Sequence, residues 1–467
     1  MEFPYHIEVF SNIKHTCLDF YVTIGYLAIA SLIFSVNFTK KTFMIRANDP
    51  SRTSWVEVKK DADFPIQNLP FGIFKTSDDS KPRVGVAIGE KIVDLKALHV
   101  LGHLPNQPFQ LHELACDSLN PMMSYGKKII REFRNRISDI LEKNNPELRD
   151  NSNHVAQVLI DQNDATMLLP VKIGDYTDFY SSIEHATNVG IMFRDPANAL
   201  LPNWKHIPVG YHGRSSSIIN SGIPITRPKG QTKAPEAELP TFGPTKLLDF
   251  ELETAFITFQ GKPLGQNITT DEADDFIFGM VLLNDWSARD IQSWEYVPLG
   301  PFLAKNFASS ISSWVVTLDA LEPFRVKGPE QNPTPLPYLH FSGNKNIDIH
   351  LEAIIETTDG TENIVSTSNY KYMYWNMEQQ LAHHTVNGCN INCGDMMGSG
   401  TISGHETNSF GSMLELTWKG TKPLTMKDGS ERKFINDNDV VIMRGYCKND
   451  NIKIGFGEVR TKVLPTI

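Results

Sequence analysis

The chain contains 467 residues, of which 40% are hydrophobic and 21% are charged. A chain of this length and composition can bury at least one large core and is expected to form two domains. The formal net charge is −10 and no basic patch stands out, which argues against a nucleic-acid partner and favours a small-molecule substrate. The five cysteines show no repeated spacing, so a disulfide framework is not expected, and a reducing compartment such as the cytoplasm fits.

Residues 20–36 form an uncharged and mostly apolar segment. A segment of this length lies at the lower limit for a membrane-spanning helix. Basic residues both precede and follow it, so its charges do not specify a secretory signal. The segment is interpreted as a weak membrane anchor, an appended segment, or the product of a rarely used upstream start, since Met44 follows it. We treat residues 1–47 as separate from the fold and expect a cytoplasmic protein, with membrane contact only through residues 20–36.

Residues 48–170 are predicted to form a small β-rich domain with helices. Short runs rich in β-branched residues at 84–88 and 92–95 lie between glycine and proline turns, as is typical of strands. A helical stripe follows, in which apolar residues recur every three or four positions: Ile130, Phe133, Ile137 and Ile140. Proline, glycine and short apolar runs dominate residues 171–467, which predicts a larger β-rich domain.

An acid, a phenol and an imidazole lie close together at the start of this larger domain. Ser181 and Glu184 have the Ser-x-x-Glu spacing of a capping box, which predicts a short helix with His185 in its first turns. His185 is then near Asp178, and an imidazole beside a carboxylate and a metal is a good candidate for a general base. Acid and histidine neighbours are also common on ordinary protein surfaces, so the motif by itself does not establish catalysis.

Two predicted strands carry further carboxylates. Asp249, Glu251 and Glu253 alternate with apolar residues, and a period of two places them on one face of a strand. A second, apolar strand ends in Asp285, where ligands frequently bind. Together with Asp178, these strands offer oxygen ligands for a hard cation such as Ca²⁺ or Mg²⁺. The alternative is a half-exposed strand with a hydrated acidic face.

Polar residues downstream are candidates for lining a pocket. Arg289, Gln292 and Tyr296 are spaced three and four apart, so on a helix they form one polar stripe, which lines a pocket or, alternatively, faces solvent. Residues 409–416 are predicted to form a strand in which Glu415 needs a polar partner, and a histidine fits. There is no Gly-x-Ser-x-Gly motif and no convincing cysteine nucleophile, so water is the expected nucleophile.

Several long segments of the sequence resemble the fumarylacetoacetase family, the hydrolases that end tyrosine catabolism. These segments are Asp63–Pro70, Gly174–Ser182, His185–Arg194, Asn284–Gln292 and Ser399–Gly404. The resemblance runs from about Asp63 to the C-terminus, and the first 47 residues have no counterpart in the family. It implies a small SH3-like barrel domain followed by a β-sandwich roll, in a homodimer whose active site lies in the larger domain.

The resemblance also implies roles for individual residues. It assigns the metal, Ca²⁺ and/or Mg²⁺, to four carboxylates: Asp178, Glu251, Glu253 and Asp285. It places two residues near the metal, Lys305 and Ser309, the second of which departs from the threonine of the family pattern. It assigns substrate contact to Tyr180, Arg194, Gln292, Tyr296 and Thr401. It makes His185 the proton acceptor, paired with Glu415.

The reaction implied by the resemblance is hydrolysis of a carbon–carbon bond of 4-fumarylacetoacetate to fumarate and acetoacetate, the last step of tyrosine and phenylalanine catabolism. Arg289 and Lys305 are then expected to stabilise the oxyanion together with Gln292. Three alternatives stay open at this point. They are a relative of the same fold that hydrolyses acylpyruvates or decarboxylates or isomerises oxo-acids, a membrane-tethered metabolite-binding protein without catalysis, and a structural calcium binder.

Overall fold

The structure is a computed structural model that describes residues 45–467. The apolar segment at residues 20–36 lies outside that range, so its interpretation stays a prediction. Residues 46–467 form one compact unit, and the domain boundary predicted at residue 170 also stays a prediction. No helix between residues 45 and 467 combines the length and the apolarity that crossing a bilayer requires.

The first part of this unit is a five-stranded antiparallel sheet with helices around it. In chain order its elements are β1 (Phe71–Thr76), β2 (Arg83–Ile88), β3 (Lys91–Asp94), α1 (Leu95–Val100), α2 (Leu111–Leu114), α3 (Asn120–Met123), α4 (Gly126–Leu141), α5 (Pro146–Arg149), α6 (Ser152–Val158), β4 (Leu159–Asp161) and β5 (Ala165–Leu168). The strand order is β4-β3-β2-β1-β5, with Phe71 opposite Val86 between β1 and β2. Asp94 ends β3 and begins α1, because its side chain accepts a hydrogen bond from the backbone N–H of Ala97. The predicted apolar stripe is confirmed, since its four residues are all buried along α4.

Sheets dominate the rest of the chain, as predicted. The first elements are β6 (Tyr176–Phe179), α7 (Ile183–Phe193), β7 (Gly210–His212), β8 (Ile218–Asn220), β9 (Ile225–Thr226), β10 (Lys229–Thr232), β11 (Thr241–Pro244), β12 (Leu248–Asp249), β13 (Leu252–Thr258), β14 (Ile277–Asp285) and β15 (Ser287–Ala288). Next come α8 (Arg289–Glu295), β16 (Ser309–Ile311), β17 (Val316–Thr317), α9 (Leu318–Leu321), β18 (Arg325–Val326), β19 (Asn346–Ile347), β20 (His350–Glu356) and β21 (Glu362–Asn369). The last are α10 (Met377–Thr385), β22 (Met396–Gly398), α11 (Met413–Leu416), β23 (Leu424–Thr425), β24 (Glu431–Arg432), β25 (Val440–Lys448) and β26 (Lys453–Leu464).

Two large sheets organise these elements. An eight-stranded sheet has the order β7-β6-β22-β13-β14-β16-β8, with β17 paired to β14. A five-stranded sheet has the order β21-β20-β25-β26-β9. Every residue of β13 and β14 is buried, so the alternative of a half-exposed acidic strand is wrong.

Strands β13 and β14 are buried on both faces because each face packs against a different core. On one face, Phe256 and Leu282 join the cluster that includes residues of β20, β25 and β26. On the other face, Ile257 and Val281 join the cluster that includes β1 and α4. Acidic side chains at the ends of these strands are therefore surrounded by protein, and this is the environment in which carboxylates require a counter-charge.

Candidate active site

Four carboxylates converge where neighbouring strands of the eight-stranded sheet meet. Asp178 lies in β6, Glu253 in β13 and Asp285 at the end of β14, while Glu251 directly precedes β13. The strand order brings them together, since Asp178 pairs with Gly398 of β22 and β22 in turn pairs with β13. Each residue offers one ligand atom, and these atoms all lie within 4.8 Å of one another. The structure thus assembles the predicted set of metal-binding residues from three separate parts of the chain.

The chemistry of this cluster fits a divalent cation. Burial, and then the negative charge of neighbouring carboxylates, raises the pKa of Asp178 and of Glu253 well above the usual values. The buried atoms Oδ1 of Asp178 and Oε1 of Glu253 have no hydrogen-bond partner within residues 45–467. Buried oxygens of like charge and without donors are the ligands that Ca²⁺ and Mg²⁺ take, so the cluster is suited to hold one of these ions.

Basic side chains cover one side of the cluster. Lys305 Nζ lies 2.5 Å from Glu251 Oε2 and 2.6 Å from Asp285 Oδ2, and Arg289 Nη1 lies 2.7 Å from Glu251 Oε1. Burial by itself would raise the pKa of Glu251, but Lys305, Arg289 and the imidazole of His185 hold it well below its usual range. Glu251 is therefore ionised in the folded protein. The position of Lys305 beside the carboxylates agrees with the prediction, whereas the contact of Arg289 with Glu251 was not predicted.

A hydroxyl also reaches the cluster at the predicted position. Ser309 Oγ donates to Asp285 Oδ1 over 2.7 Å. Ser309 lies in β16, which pairs with β14 in a register that sets Ser309 opposite Asp285. Sheet pairing therefore aims this hydroxyl at the carboxylate.

His185 is buried at the start of α7 and contacts Glu415. Its Nδ1 lies 2.6 Å from Glu415 Oε2. The residue that caps the helix is Ser182, whose Oγ accepts a hydrogen bond from the backbone N–H of His185. The prediction that Ser181 is the capping residue is therefore wrong by one position. Ser181 is used elsewhere, because its Oγ accepts a hydrogen bond from Nε2 of Gln380 in α10.

Glu415 lies in the short helix α11 and not in a strand. The predicted strand at residues 409–416 is wrong, because Ser412 accepts a hydrogen bond from the backbone N–H of Glu415 and so starts a helix. The Glu415 carboxylate accepts from Asn188 Nδ2, Ser403 Oγ and Ser412 Oγ. Burial would raise its pKa, but the charge and hydrogen bond of His185, together with these donors, hold the pKa below its usual value. Glu415 is thus a fixed carboxylate partner for the imidazole.

Two of the predicted substrate-binding residues lie beside catalytic candidates. The ring of Tyr180 is 5.3 Å from the ring of His185, edge to face. Arg289 and Gln292 of the predicted helical stripe lie in α8, where Arg289 Nη1 donates to Gln292 Oε1 over 3.4 Å, whereas Tyr296 lies just past the end of the helix.

The other three predicted substrate-binding residues differ in exposure. Thr401 is buried in the loop after β22, whereas Arg194 follows α7 and Tyr296 follows α8, both of them exposed. Arg194 Nη2 donates to the carbonyl of Ala199 over 2.5 Å. Arg194 is near enough to Tyr180 for its charge to oppose the rise in the pKa of that phenol that burial causes.

Two residues of the site, Tyr211 and Gly398, are missing from the predicted set, and a third, Asp249, has another role than the one predicted. Tyr211 of β7 donates from its hydroxyl to Asp285 Oδ2 over 3.2 Å. Gly398 leaves room for the cluster, because a Cβ at this position would lie 2.7 Å from Asp178 Oδ1. Asp249 was placed on the acidic face of its strand, but it contacts Arg289 Nε over 2.9 Å and is not among the clustered carboxylates. Of these three residues, only Asp249 could have been identified from the sequence, because it belongs to the alternation of acidic and apolar residues.

Comparisons with known proteins agree with these features. The family model described as "Fumarylacetoacetate (FAA) hydrolase C-terminal" matches residues 176–464, and the model described as "Fumarylacetoacetase N-terminal" matches residues 67–170. The chain is 53% identical over 417 residues to a fumarylacetoacetase of Dictyostelium discoideum, and the aligned region covers 88% of this chain and 98% of that protein. It is 51% identical over 418 residues to a fumarylacetoacetase of Homo sapiens, which covers 89% of this chain and 99% of that protein.

A solved structure is also similar to this chain. It is the fumarylacetoacetate hydrolase of Exiguobacterium antarcticum, with a TM-score of 0.48 and 17% sequence identity, covering 85% of this chain and 99% of that one. The family models and the curated relatives cover most of the described range. The chain therefore belongs to the fumarylacetoacetase family.

Proposed function

We propose that this protein is an enzyme that hydrolyses a carbon–carbon bond of 4-fumarylacetoacetate to yield fumarate and acetoacetate, the last step of tyrosine and phenylalanine catabolism. The observation that carries the proposal is the buried pair of His185 and Glu415 beside a cluster of four carboxylates. Relatives that are about half identical over most of the chain bear the name fumarylacetoacetase. Water is the nucleophile in this proposal.

Ca²⁺ or Mg²⁺ is proposed as the cation, held by Asp178, Glu251, Glu253 and Asp285. When bound there, the cation supplies Lewis-acid stabilisation of the negative charge that develops on the diketone oxygens. The all-oxygen ligand set supports either of these two ions. Ser309 and Lys305 also support the cation site, because both hold the Asp285 carboxylate.

His185 is proposed to remove a proton from the attacking water. A carboxylate oxygen only accepts hydrogen bonds, so the contact with Glu415 places the imidazole proton on Nδ1 and leaves Nε2 as the acceptor. Glu415 also stabilises the imidazolium that results. Across the reaction, the hydroxyl of water ends on the new carboxyl group of fumarate, and its proton ends on the terminal carbon of acetoacetate.

Arg289, Gln292 and Lys305 are proposed to stabilise the tetrahedral oxyanion. Burial would lower the pKa of Lys305, but Asp285 and Glu251 raise it above its usual value, so Lys305 is an ammonium at neutral pH. One well-aimed donor of this kind contributes about 3–4 kcal/mol to transition-state stabilisation. Lys305 is buried and the side chain of Arg289 is only 9% exposed, so both charges lie where they are most effective.

The remaining polar residues are proposed to bind the two carboxylates of the substrate. Arg194 and Tyr180 are proposed to take one carboxylate, because guanidinium groups bind carboxylates in a bidentate manner. Tyr296 and Thr401 are proposed to contribute hydroxyl contacts. The exposure of Arg194 and Tyr296 suits groups that meet an anionic substrate as it enters.

The quaternary arrangement is proposed to be a homodimer. Large apolar side chains are exposed in and after α8 and in the neighbouring hairpin β10–β11, with Leu299 at 96%, Phe242 at 73% and Phe302 at 67% exposure. The hairpin and the helix pack together, since Trp294 Nε1 donates to Gln231 Oε1. Exposed apolar side chains on these adjacent segments support association with a second copy of the chain.

We propose that residues 48–170 form an SH3-like barrel domain and that residues 171–467 form the catalytic β-sandwich roll. A cytoplasmic location is proposed because Cys116, Cys389, Cys393 and Cys447 are all free, as expected in a reducing compartment. A membrane anchor in residues 20–36 is the competing assignment, and fractionation of cells expressing the full chain distinguishes the two.

The experiment that tests the proposed reaction follows the loss of ultraviolet absorbance of fumarylacetoacetate in the presence of the purified full-length protein. We expect turnover with Mg²⁺ or Ca²⁺, loss of turnover with excess chelator, and recovery when the cation is restored. Acylpyruvates and oxo-acids serve as comparison substrates. Absence of fumarylacetoacetate turnover by the cation-loaded protein, or a clear preference for an acylpyruvate, would refute the proposal.

A further inference from the structure

Asp249 is a fully buried carboxylate that joins two parts of the proposed catalytic machinery. It ends β12, and its side chain is 0% exposed. Its Oδ2 accepts from Arg289 Nε over 2.9 Å. Its two oxygens also accept from the backbone N–H groups of Met413 and Leu414, over 2.7 Å and 3.0 Å. One carboxylate thus receives hydrogen bonds from a side chain and from a backbone segment that are far apart in sequence.

The backbone segment is the one that carries Glu415. Met413 and Leu414 are the first two residues of α11, and Glu415 is the third. The neighbouring Ser412 also forms a β-bridge with Glu251, and Leu252 N–H donates to the carbonyl of Gly411. The Asp249 carboxylate therefore fixes α11 against the strand that leads to Glu251 and Glu253.

The Asp249 carboxylate also determines which nitrogen of the Arg289 guanidinium is left without a partner. Asp249 occupies Nε of the planar guanidinium, and Glu251 lies 2.7 Å from Nη1. Nη2 of Arg289 is buried and has no hydrogen-bond partner among the residues that the structure describes. Because the guanidinium is planar, two fixed nitrogens also fix the direction of the third. Nη2 is thus the donor that remains for an oxygen of the substrate.

We propose that Asp249 is a positioning residue that sets the plane of the Arg289 guanidinium and, through α11, the location of Glu415 behind His185. The inference rests on the proposed hydrolysis. Asp249 itself touches no reacting atom in this scheme. It acts by holding an oxyanion donor and the partner of the general base in a common frame, and displacement of such groups by about 1 Å is enough to cost about 100-fold in rate.

A matched control exists elsewhere in the chain. Asp439 is equally buried and is paired with Arg432, whose Nε and Nη2 lie 2.8 Å and 2.9 Å from its carboxylate. It also accepts from the backbone N–H of Asn436. Asp439→Asn therefore removes the same kind of buried ion pair without touching the proposed site. Comparing the two variants therefore separates the effect of losing a buried ion pair on stability from any specific effect of Asp249 on catalysis.

The test measures kcat, KM and Tm for Asp249→Asn and Asp439→Asn in the cation-loaded, full-length protein. We expect both variants to lose a similar amount of Tm, but only Asp249→Asn to lose about 10–100-fold in kcat, with KM within a few-fold of the wild-type value. Equal kcat for the two variants, or a kcat above half of the wild-type value in Asp249→Asn, overturns the inference. Absence of turnover in the wild-type protein itself would instead refute the proposed function.

Two further measurements extend the test, and the second leaves Asp249 intact, so it applies even if Asp249→Asn folds poorly. The double variant Asp249→Asn with Arg289→Ala is expected to lose less kcat than the product of the two single losses, because the part of the Asp249 effect that acts through Arg289 is already absent and only the part through α11 remains. In Arg289→Ala with Asp249 intact, added guanidinium ion is expected to raise kcat, whereas methylammonium is not. Multiplicative losses in the double variant, or equal rescue by both cations, contradict a positioning role.

Discussion

The imidazole Nδ1 of His185 lies 2.6 Å from Oε2 of Glu415, although the two residues are 230 positions apart in the chain. The first residue belongs to α7 and the second to α11, and Asn188 of α7 donates to the other carboxylate oxygen. Each helix is capped by a serine directly before it, Ser182 and Ser412. The two serine caps therefore set the starts of the helices that carry the proton acceptor and its partner.

Replacement of His185 by alanine tests the proton acceptor. We expect His185→Ala to lower kcat by at least ~100-fold, because no other group accepts the proton of water at that position in the proposed scheme. His112→Ala, in the exposed first turn of α2, is the matched control and should keep wild-type kinetics. Near-normal turnover of His185→Ala would remove this residue from the mechanism.

Glu415→Gln tests the partner of the imidazole and has a measurable pH signature. The folded-state pKa of Glu415 lies below its ordinary value, so the ionised group contributes stability above the unfolded pKa of about 4.3. That contribution is lost as pH falls through the lower folded pKa. We expect the free energy of unfolding of wild type to fall more steeply below pH ~4.5 than that of Glu415→Gln in urea titrations. Identical slopes would show that Glu415 is not held as an ion.

Kinetic measurements on Glu415→Gln give a second test of this role. Glutamine at position 415 cannot supply the negative charge that stabilises an imidazolium, so kcat should fall by about 10²–10⁴-fold. KM should change little, because Glu415 faces His185 and not the substrate. A change confined to KM would contradict the role proposed for this residue.

Cation binding is expected to stabilise the protein and to depend on pH. Because burial and neighbouring carboxylates raise the pKa of Asp178 and Glu253, a cation must displace protons to bind, and its affinity should fall as pH falls. We expect Mg²⁺ or Ca²⁺ at 100 times its Kd to add about 2.7 kcal/mol to the free energy of unfolding. The resulting increase in Tm at a fixed cation concentration should be larger at pH 8 than at pH 6.

Glu253→Gln is the variant that checks this cation effect. Loss of one cation ligand should abolish the increase in Tm on adding cation, whereas Tm in the presence of chelator should stay close to that of wild type, because glutamine resembles the protonated Glu253 of the cation-free site. Glu431→Gln, at an exposed position in β24, should retain the wild-type increase. A cation-dependent Tm that survives Glu253→Gln would place the ion elsewhere.

Gly398 is predicted to be intolerant of any side chain. A Cβ at this position would lie 2.7 Å from Asp178 Oδ1 and 3.3 Å from Glu253 Oε2. Gly398→Ala should therefore displace the carboxylates, lower stability by about 1–3 kcal/mol and abolish the cation-dependent increase in Tm. Gly243→Ala, where a Cβ has no heavy atom within 4 Å, should change stability by less than about 1 kcal/mol. Equal behaviour of the two alanine variants would argue against a crowded cluster.

Ser309 tests whether the hydroxyl beside the cluster matters. Ser309→Ala removes the 2.7 Å hydrogen bond to Asp285 Oδ1, and loss of such a support costs about 10–100-fold in metal affinity or activity. Ser309→Thr keeps the hydroxyl, and we expect it to bind the cation and turn over substrate within a few-fold of wild type. Calorimetric titration of the cation into each variant measures the difference. Wild-type affinity in Ser309→Ala would show that the contact does not tune the site.

The sequence by itself determined the features that depend on local patterns. The spacing of three to four residues between apolar positions in α4 and the apolar run ending at Asp285 are local patterns. Each depends only on which side chains of one element face a core. The acidic alternation pointed to Glu251 and Glu253 for the same reason. Resemblance to a family then named the residues around them, and the structure brings the four carboxylates together as that resemblance implied.

Only the tertiary structure decided the features that depend on contacts between distant segments. Position 415 lies in a helix of four residues, too short for a periodicity to reveal, and the side chain of Ser412 starts that helix. Gly398 and Tyr211 belong to the site because β22 and β7 lie in one sheet with β6. Asp249 connects Arg289 to α11 only after both have folded against β12. Hydrogen bonds across long sequence separations leave no local pattern, since their partners are chosen by packing and not by neighbouring residues.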